Sequence, residues 1–182
     1  MKRGATNNKG FSLVELIIVI AIMAILVGVM APQLIKYIEK ANVAADTQLC
    51  DNVRKAIYYA MMDPDVVTAN DKSKDLIDDF CTPGANFRFD THAVGSDWVT
   101  CQFAKAVEET LQFNPFVNTF DADEYCKSTP SGVGFIFGAV VNDDGTNFAI
   151  YIAWSDRYGE KQGENFNGAY DELEDSRVIY VK

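Results

Sequence analysis

Gly10-Phe11-Ser12-Leu13-Val14-Glu15, running into the apolar run Leu16–Ala31, decides how the rest of this chain is read. Residues 1–10 before it carry Lys2, Arg3 and Lys9 and no acid. Basic flanks stay on the cytoplasmic side of a membrane, so the leader is expected inside and the remainder outside. An ordinary secretory signal places its small-residue cleavage site after the apolar segment. Here the small residue, Gly10, comes before it, and a cut after Gly10 leaves the apolar segment on the mature chain. From Phe11 to Ile35 a helix would rise about 37 Å, enough to cross a hydrocarbon core of about 30 Å. Many residues of this run are β-branched, but lipid offers the backbone no partners and forces helix regardless.

Working outward, the helical pattern continues past the apolar segment. Pro32 lacks an N–H and collides with the carbonyl of Gly28, so a kink or opened turn between Gly28 and Pro32 is expected. Ile38, Ala41, Ala45, Leu49, Val53, Ile57, Ala60 and Met61 then recur at three- and four-residue steps, an amphipathic stripe that needs a cover. Asp63-Pro64 stops it. The spacing predicts one helix from about Phe11 to Met62, apolar all round in its first half and amphipathic in its second.

Residues 63–132 read as a mixed αβ connection. A short helix is expected over Ser73–Phe80 with Leu76, Ile77 and Phe80 inward, then a turn at Cys81-Thr82-Pro83-Gly84. Phe87 and Phe89 alternate with polar residues as a short strand would. Ser96 and Asp97 are N-cap candidates for a helix to about Gln112. Beyond residue 132, Phe135–Val141 and Phe148–Trp154 are rich in β-branched and aromatic residues, and Asn142-Asp143-Asp144-Gly145 between them makes a hairpin turn. Arg157–Asp175 reads as a polar loop and Val178–Val181 as a last strand. An antiparallel sheet of at least three strands laid over the helical stripe buries both apolar faces, which makes the fold α+β.

The 182 residues include 16 basic and 26 acidic ones, a net charge of −10. Loss of Lys2, Arg3 and Lys9 with the leader makes it −13. Such a surface repels phosphate backbones, so direct nucleic-acid binding is not expected. Cys50, Cys81, Cys101 and Cys126 lie beyond the apolar segment and contain no CxxC pair, which argues against a zinc ribbon. For a domain outside the cytoplasm two disulfides are expected, in any of three pairings.

Glu15 admits two readings. A carboxylate inside a bilayer costs about 2.5–3.5 kcal/mol on insertion scales and is usually functional. Only four residues inside the apolar start, it also reaches the headgroups. The cut after Gly10 favours the first reading, because it creates an amine on Phe11 one turn away. In a staggered array of helices, the Glu15 carboxylate of one subunit meets the Phe11 ammonium of the next, offsetting the desolvation of both. Other constellations are weaker. His92 has no nucleophile–base set around it. Asp121, Asp123 and Glu124, and Asn142, Asp143 and Asp144, miss the EF-hand spacing and are expected as solvated turns. Tyr58 and Tyr59 are expected to pack under the sheet. No phosphate loop occurs, no enzymatic activity is expected, and no cofactor or metal is expected.

Lys9-Gly10-Phe11-Ser12-Leu13-Val14-Glu15 and the apolar helix with Pro32 resemble the class III signal of type IV pilins and pseudopilins. The resemblance is specific over Lys9 to about Lys40 and architectural beyond. It implies cleavage between Gly10 and Phe11 by a prepilin peptidase, N-methylation of Phe11, an assembly role for Phe11 and Glu15, and a helix segment near Pro32 that melts in the filament. Cys50 on the long helix and Cys126 ahead of the strands do not reproduce the single C-terminal disulfide loop of many members. The implied organisation is a leader at 1–10, a transmembrane and filament-core helix at 11–35 and a globular head at 36–182. Within the head, 36–62 is helix, 63–132 the connection and 133–182 the sheet and C-terminal loop. The apolar half of the helix would protrude from the head.

The implied function is that of a major-type pilus subunit, a helical homopolymer drawn from the cytoplasmic membrane by the pilus assembly machinery. It would end as a surface filament for adhesion, aggregation, twitching motility or DNA uptake. The alternative is the major pseudopilin of a type II secretion system.

Overall fold

A helix of 50 residues, α1 (Leu13–Met62), opens the fold, in a computed structural model that describes residues 11–89, 100–116, 127, 133–156, 170–171 and 179–182. It is followed by α2 (Pro64–Val67), α3 (Ser73–Cys81), β1 (Asn86–Arg88), α4 (Gln102–Leu111), β2 (Val133–Val141), β3 (Phe148–Asp156) and β4 (Ile179–Val181). The chain divides into two compact units, Met1–Lys40 and Ala41–Lys182. The first is helical from Leu13, apolar all round from Leu16 to Ala31, and exposed throughout its described residues. The helix runs through Pro32 without interruption.

In the second unit four strands form one antiparallel sheet in the order β1-β2-β3-β4. The hairpin register pairs Val141 with Phe148 and Val133 with Asp156. Its turn is closed by Asn142 N–H donating to Asn147 O at 2.9 Å and by Gly145 at φ +72°, the left-handed region that favours glycine. Strand side chains alternate between faces, and the central residues of β2 and β3 divide between two buried clusters with that period. Phe137, Ala139, Val141, Phe148, Ile150, Ile152 and Ile179 join Val53, Ala56, Ile57 and Ala60 of α1 in the main core. Leu76 and Phe80 of α3 and Phe103 and Val107 of α4 complete it. On the opposite face Val140, Ala149 and Tyr151 are buried too, with Tyr170 and Tyr180 packed against them.

Two expectations are corrected. The buried stripe at the start of the amphipathic half is Asp46 and Cys50, whereas Ile38, Ala41 and Ala45 are exposed and Leu49 is half-buried. The reason is a hydrogen bond: Lys127 N–H donates to Asp46 Oδ1 at 2.9 Å, so a carboxylate occupies a buried position that periodicity reserves for an apolar residue. Second, the N-cap of α4 is not one of the expected pair, Ser96 and Asp97, which lie outside the described residues. Cys101 is the N-cap of α4, extended at ψ 162°, and its Sγ accepts from Ala104 N–H at 3.4 Å. Asp63-Pro64 ends α1 as expected and also starts α2, with the Asp63 carboxylate accepting from Asp65 N–H at 2.9 Å and Pro64 in the first turn. The last strand expected over Val178–Val181 is described as Ile179–Val181, and Val178 lies outside the described residues. The polar loop lies outside the described residues except for Tyr170 and Asp171.

Candidate functional site

The N-terminal end of α1 is the candidate site. Ser12 stands just before the helix, and Leu16 N–H donates to Ser12 O at 3.3 Å, which makes Ser12 the N-cap. The Glu15 carboxylate reaches back one turn and accepts from Ser12 N–H through Oε2 at 2.8 Å. This is the carboxylate half of a capping box, one otherwise unpartnered donor satisfied by an acid in the first turn. The Ser-x-x-Glu spacing announces it, and the pairing of Glu15 with an amine had overlooked it. Phe11 is 94% exposed and precedes the helix. Gly10 lies outside the described residues. Gly28 has open space around the position of a Cβ. Pro32 continues the helix.

The surrounding surface is apolar on every side. Leu13, Val14, Leu16, Ile17, Ile18, Val19, and their successors to Ile35 are exposed large hydrophobics. Exposure of that order over more than six turns has no counterpart in a monomer that stays in water. The helix is long and apolar enough to cross a membrane, and its apolar window is not buried.

The cysteines do not gather. Cys50 and Cys101 are buried and Cys81 is exposed with a free thiol, and no disulfide joins these three to one another. The Cys81 thiol is pushed up by burial and by the neighbouring Asp78. Cys126 lies outside the described residues, as do His92, Asp121, Asp123 and Glu124. Asn142, Asp143 and Asp144 sit at the hairpin turn. The Asp144 carboxylate accepts from the Thr146 hydroxyl at 2.6 Å and its N–H at 3.0 Å, and these bonds hold its pKa below the usual range. Tyr58 stacks on Phe148 at 4.6 Å between ring centroids, whereas Tyr59 is exposed. A polar cavity of about 480 Å³ is lined by Asn70, Asp71, Lys72, Asp75, Thr100 and Cys101. Its Asp71 carboxylate is committed to the backbone, accepting from Ser73 N–H at 2.9 Å and from Gln102 N–H at 2.8 Å. Among the described residues no group of three or more His, Cys, Asp and Glu is placed to hold a metal.

A capped, acid-bearing helix start that leads into an exposed apolar helix long enough to cross a membrane, with a small antiparallel sheet downstream, defines an α+β protein. Residues 5–31 match the family model described as the prokaryotic N-terminal methylation motif. The chain therefore carries the class III signal of type IV pilins and pseudopilins, and its long apolar helix and four-stranded sheet are consistent with the type IV pilin fold. The motif implies processing by a prepilin peptidase and a connection to pilus machinery. No solved structure matches the chain.

Proposed function

We propose that this protein is the major-type structural subunit of a type IV pilus. It is held in the cytoplasmic membrane with its N-terminus inside, cut between Gly10 and Phe11, methylated on Phe11 and polymerised through its N-terminal helix into a surface filament. The observation that carries the reading is the exposed apolar helix placed after the cleavable junction, so that it stays on the mature chain. Released from lipid, that surface requires burial, and packing against identical helices supplies it. Glu15 of one subunit then meets the Phe11 amine of the next. The remaining polar surface, net acidic, forms the outer layer of the filament. The protein is a structural subunit rather than an enzyme.

Electron microscopy of material sheared from the cell surface, with mass spectrometry of the subunit, tests this. Fibres built from a chain that begins at N-methylated Phe11 are expected. A subunit that keeps Met1 or has an unmethylated Phe11 overturns the processing. A correctly processed subunit with no surface fibre, whose deletion blocks protein secretion, reassigns it to a secretion-system pseudopilin.

A further inference from the structure

The first unit holds one more pattern, at the opposite end of its apolar segment from Glu15. Gln33, Lys36, Tyr37 and Lys40 are spaced i, i+3, i+4 and i+7 and share one face of α1, within an arc of about 100° at 100° per residue. All four are exposed. Leu34, Ile35 and Ile38 fall on the other faces, so the helix is still apolar on one side where it has become polar on the other. That mixed ring is what a helix shows as it passes from acyl chains into headgroups.

Length places the ring. The rise from Glu15 to Ile35 is about 30 Å, the thickness of a bilayer's hydrocarbon core. With the capped Glu15 carboxylate at the cytoplasmic boundary, Gln33–Lys40 straddles the outer one. Lysine stems lie along the apolar zone and lift their ammoniums into the headgroups, and tyrosine favours the same level. The stripe offers two ammoniums, an amide NH₂ and a phenol hydroxyl. Glu39, about 60° from Lys36, is the one acid among residues 33–40 and partly opposes them.

We propose that Gln33, Lys36, Tyr37 and Lys40 form a binding site for the phosphodiester of an anionic phospholipid in the outer leaflet, holding the stored subunit at fixed depth. Charge complementarity names the occupant. The proposal rests on the membrane-anchored reading of the helix. It also gives each end of the span its own hold: the Ser12–Glu15 cap inside and the lysine stripe outside.

The processed full-length chain in nanodiscs of mixed phosphatidylcholine and phosphatidylglycerol, released in native mass spectrometry, reads the lipids that stay bound. Near a charged surface each lysine is worth about a fivefold preference. Wild type is expected to retain phosphatidylglycerol over phosphatidylcholine. Lys36→Gln with Lys40→Gln should lose about 25-fold of that preference, whereas Lys36→Arg with Lys40→Arg should keep it and Glu39→Gln should strengthen it. In parallel, alkaline washing of vesicles tests insertion. A chain that washes off overturns the anchor and the site with it. A chain that stays inserted but retains both lipids equally overturns the site alone, and loss of fibre assembly in the glutamine pair without any lipid preference assigns the stripe to subunit contacts instead.

Discussion

Arg54 Nη2 donates to the side-chain oxygen of Asn147 at 2.8 Å, across 93 residues of chain, and this pair ties α1 to the hairpin turn. The same oxygen accepts from the Tyr58 hydroxyl at 2.6 Å, and Arg54 Nε donates to Phe148 O at 3.0 Å. The guanidinium also lies over the rings of Tyr58 and Phe148, at 5.1 and 5.9 Å. Asn147 in turn donates through Nδ2 to the Tyr170 hydroxyl at 3.1 Å, so one amide links the helix, the turn and the far face of the sheet. Removing a charged donor leaves these acceptors without it in a half-buried site. Arg54→Ala is expected to cost about 2 kcal/mol, and a cycle with Asn147→Ala to show coupling of about 1 kcal/mol. Chemical denaturation of the processed chain in detergent, followed by near-UV circular dichroism, reads both. Additive effects would disprove the link.

Gly138 and Tyr151 face each other across β2 and β3, and the ring occupies the space a Cβ at 138 would take. The Tyr151 hydroxyl donates to Asn86 Oδ1 at 3.0 Å, which fixes the ring in place. Gly138→Ala is expected to destabilise by about 1–3 kcal/mol through overpacking. Combining it with Tyr151→Leu should recover part of that loss. A Gly138→Ala chain as stable as wild type would contradict the packing.

Cys81 should react slowly. Burial and Asp78 raise its pKa, so less thiolate is present at neutral pH than on an unperturbed cysteine. Maleimide labelling of native protein is expected to modify Cys81 more slowly than a free cysteine peptide, and Asp78→Asn to speed it. Resistance of Cys81 in the native chain, relieved only by reduction, would show it paired after all, in line with the two disulfides expected from the cysteine count.

How much of this was legible in the sequence depends on whether a residue's partner is local. The apolar helix, the stop at Asp63-Pro64, the hairpin turn and the β-branched and aromatic runs of β2 and β3 all follow from neighbours within a few positions, and each was readable. Asp46 was not, because its burial depends on Lys127, 81 residues away. Cys101 was missed as a cap because sulfur is a weak acceptor and Ser96 and Asp97 looked stronger. At the N-terminal site Phe11 and Glu15 stood out from the sequence, but attention to an intermolecular partner hid the Ser12 N–H one turn away.

Asp71 makes the acid side of the stability profile testable. Burial raises its pKa, but the Ser73 hydroxyl and N–H, the Gln102 N–H and Lys105 outweigh it, and the folded value is lowered. A depressed carboxylate contributes stability that is complete above the unfolded pKa of about 3.9 and is lost as pH falls through the folded value. Asp71→Asn is expected to lower the melting temperature at pH 7 and to shrink the difference between pH 7 and pH 3. An unchanged difference would mean that Asp71 contributes nothing to the acid limb.

Glu15 brings the two environments of α1 into one experiment. In the single chain its carboxylate caps Ser12 N–H, which offsets part of its cost near the bilayer boundary without any neighbour. In the proposed filament the same carboxylate meets a Phe11 ammonium. Glu15→Ala removes both contacts, yet the apolar segment that inserts is untouched. The variant is expected to be inserted and processed like wild type, with a slightly frayed first turn, and to yield few fibres. Glu15→Gln retains an oxygen for the Ser12 N–H but no charge for the amine, so it separates the roles. Poor assembly in Glu15→Gln makes the charge pair the decisive contact. Normal fibres from Glu15→Gln but not from Glu15→Ala make the helix cap decisive, and abundant fibres from Glu15→Ala would remove Glu15 from assembly altogether.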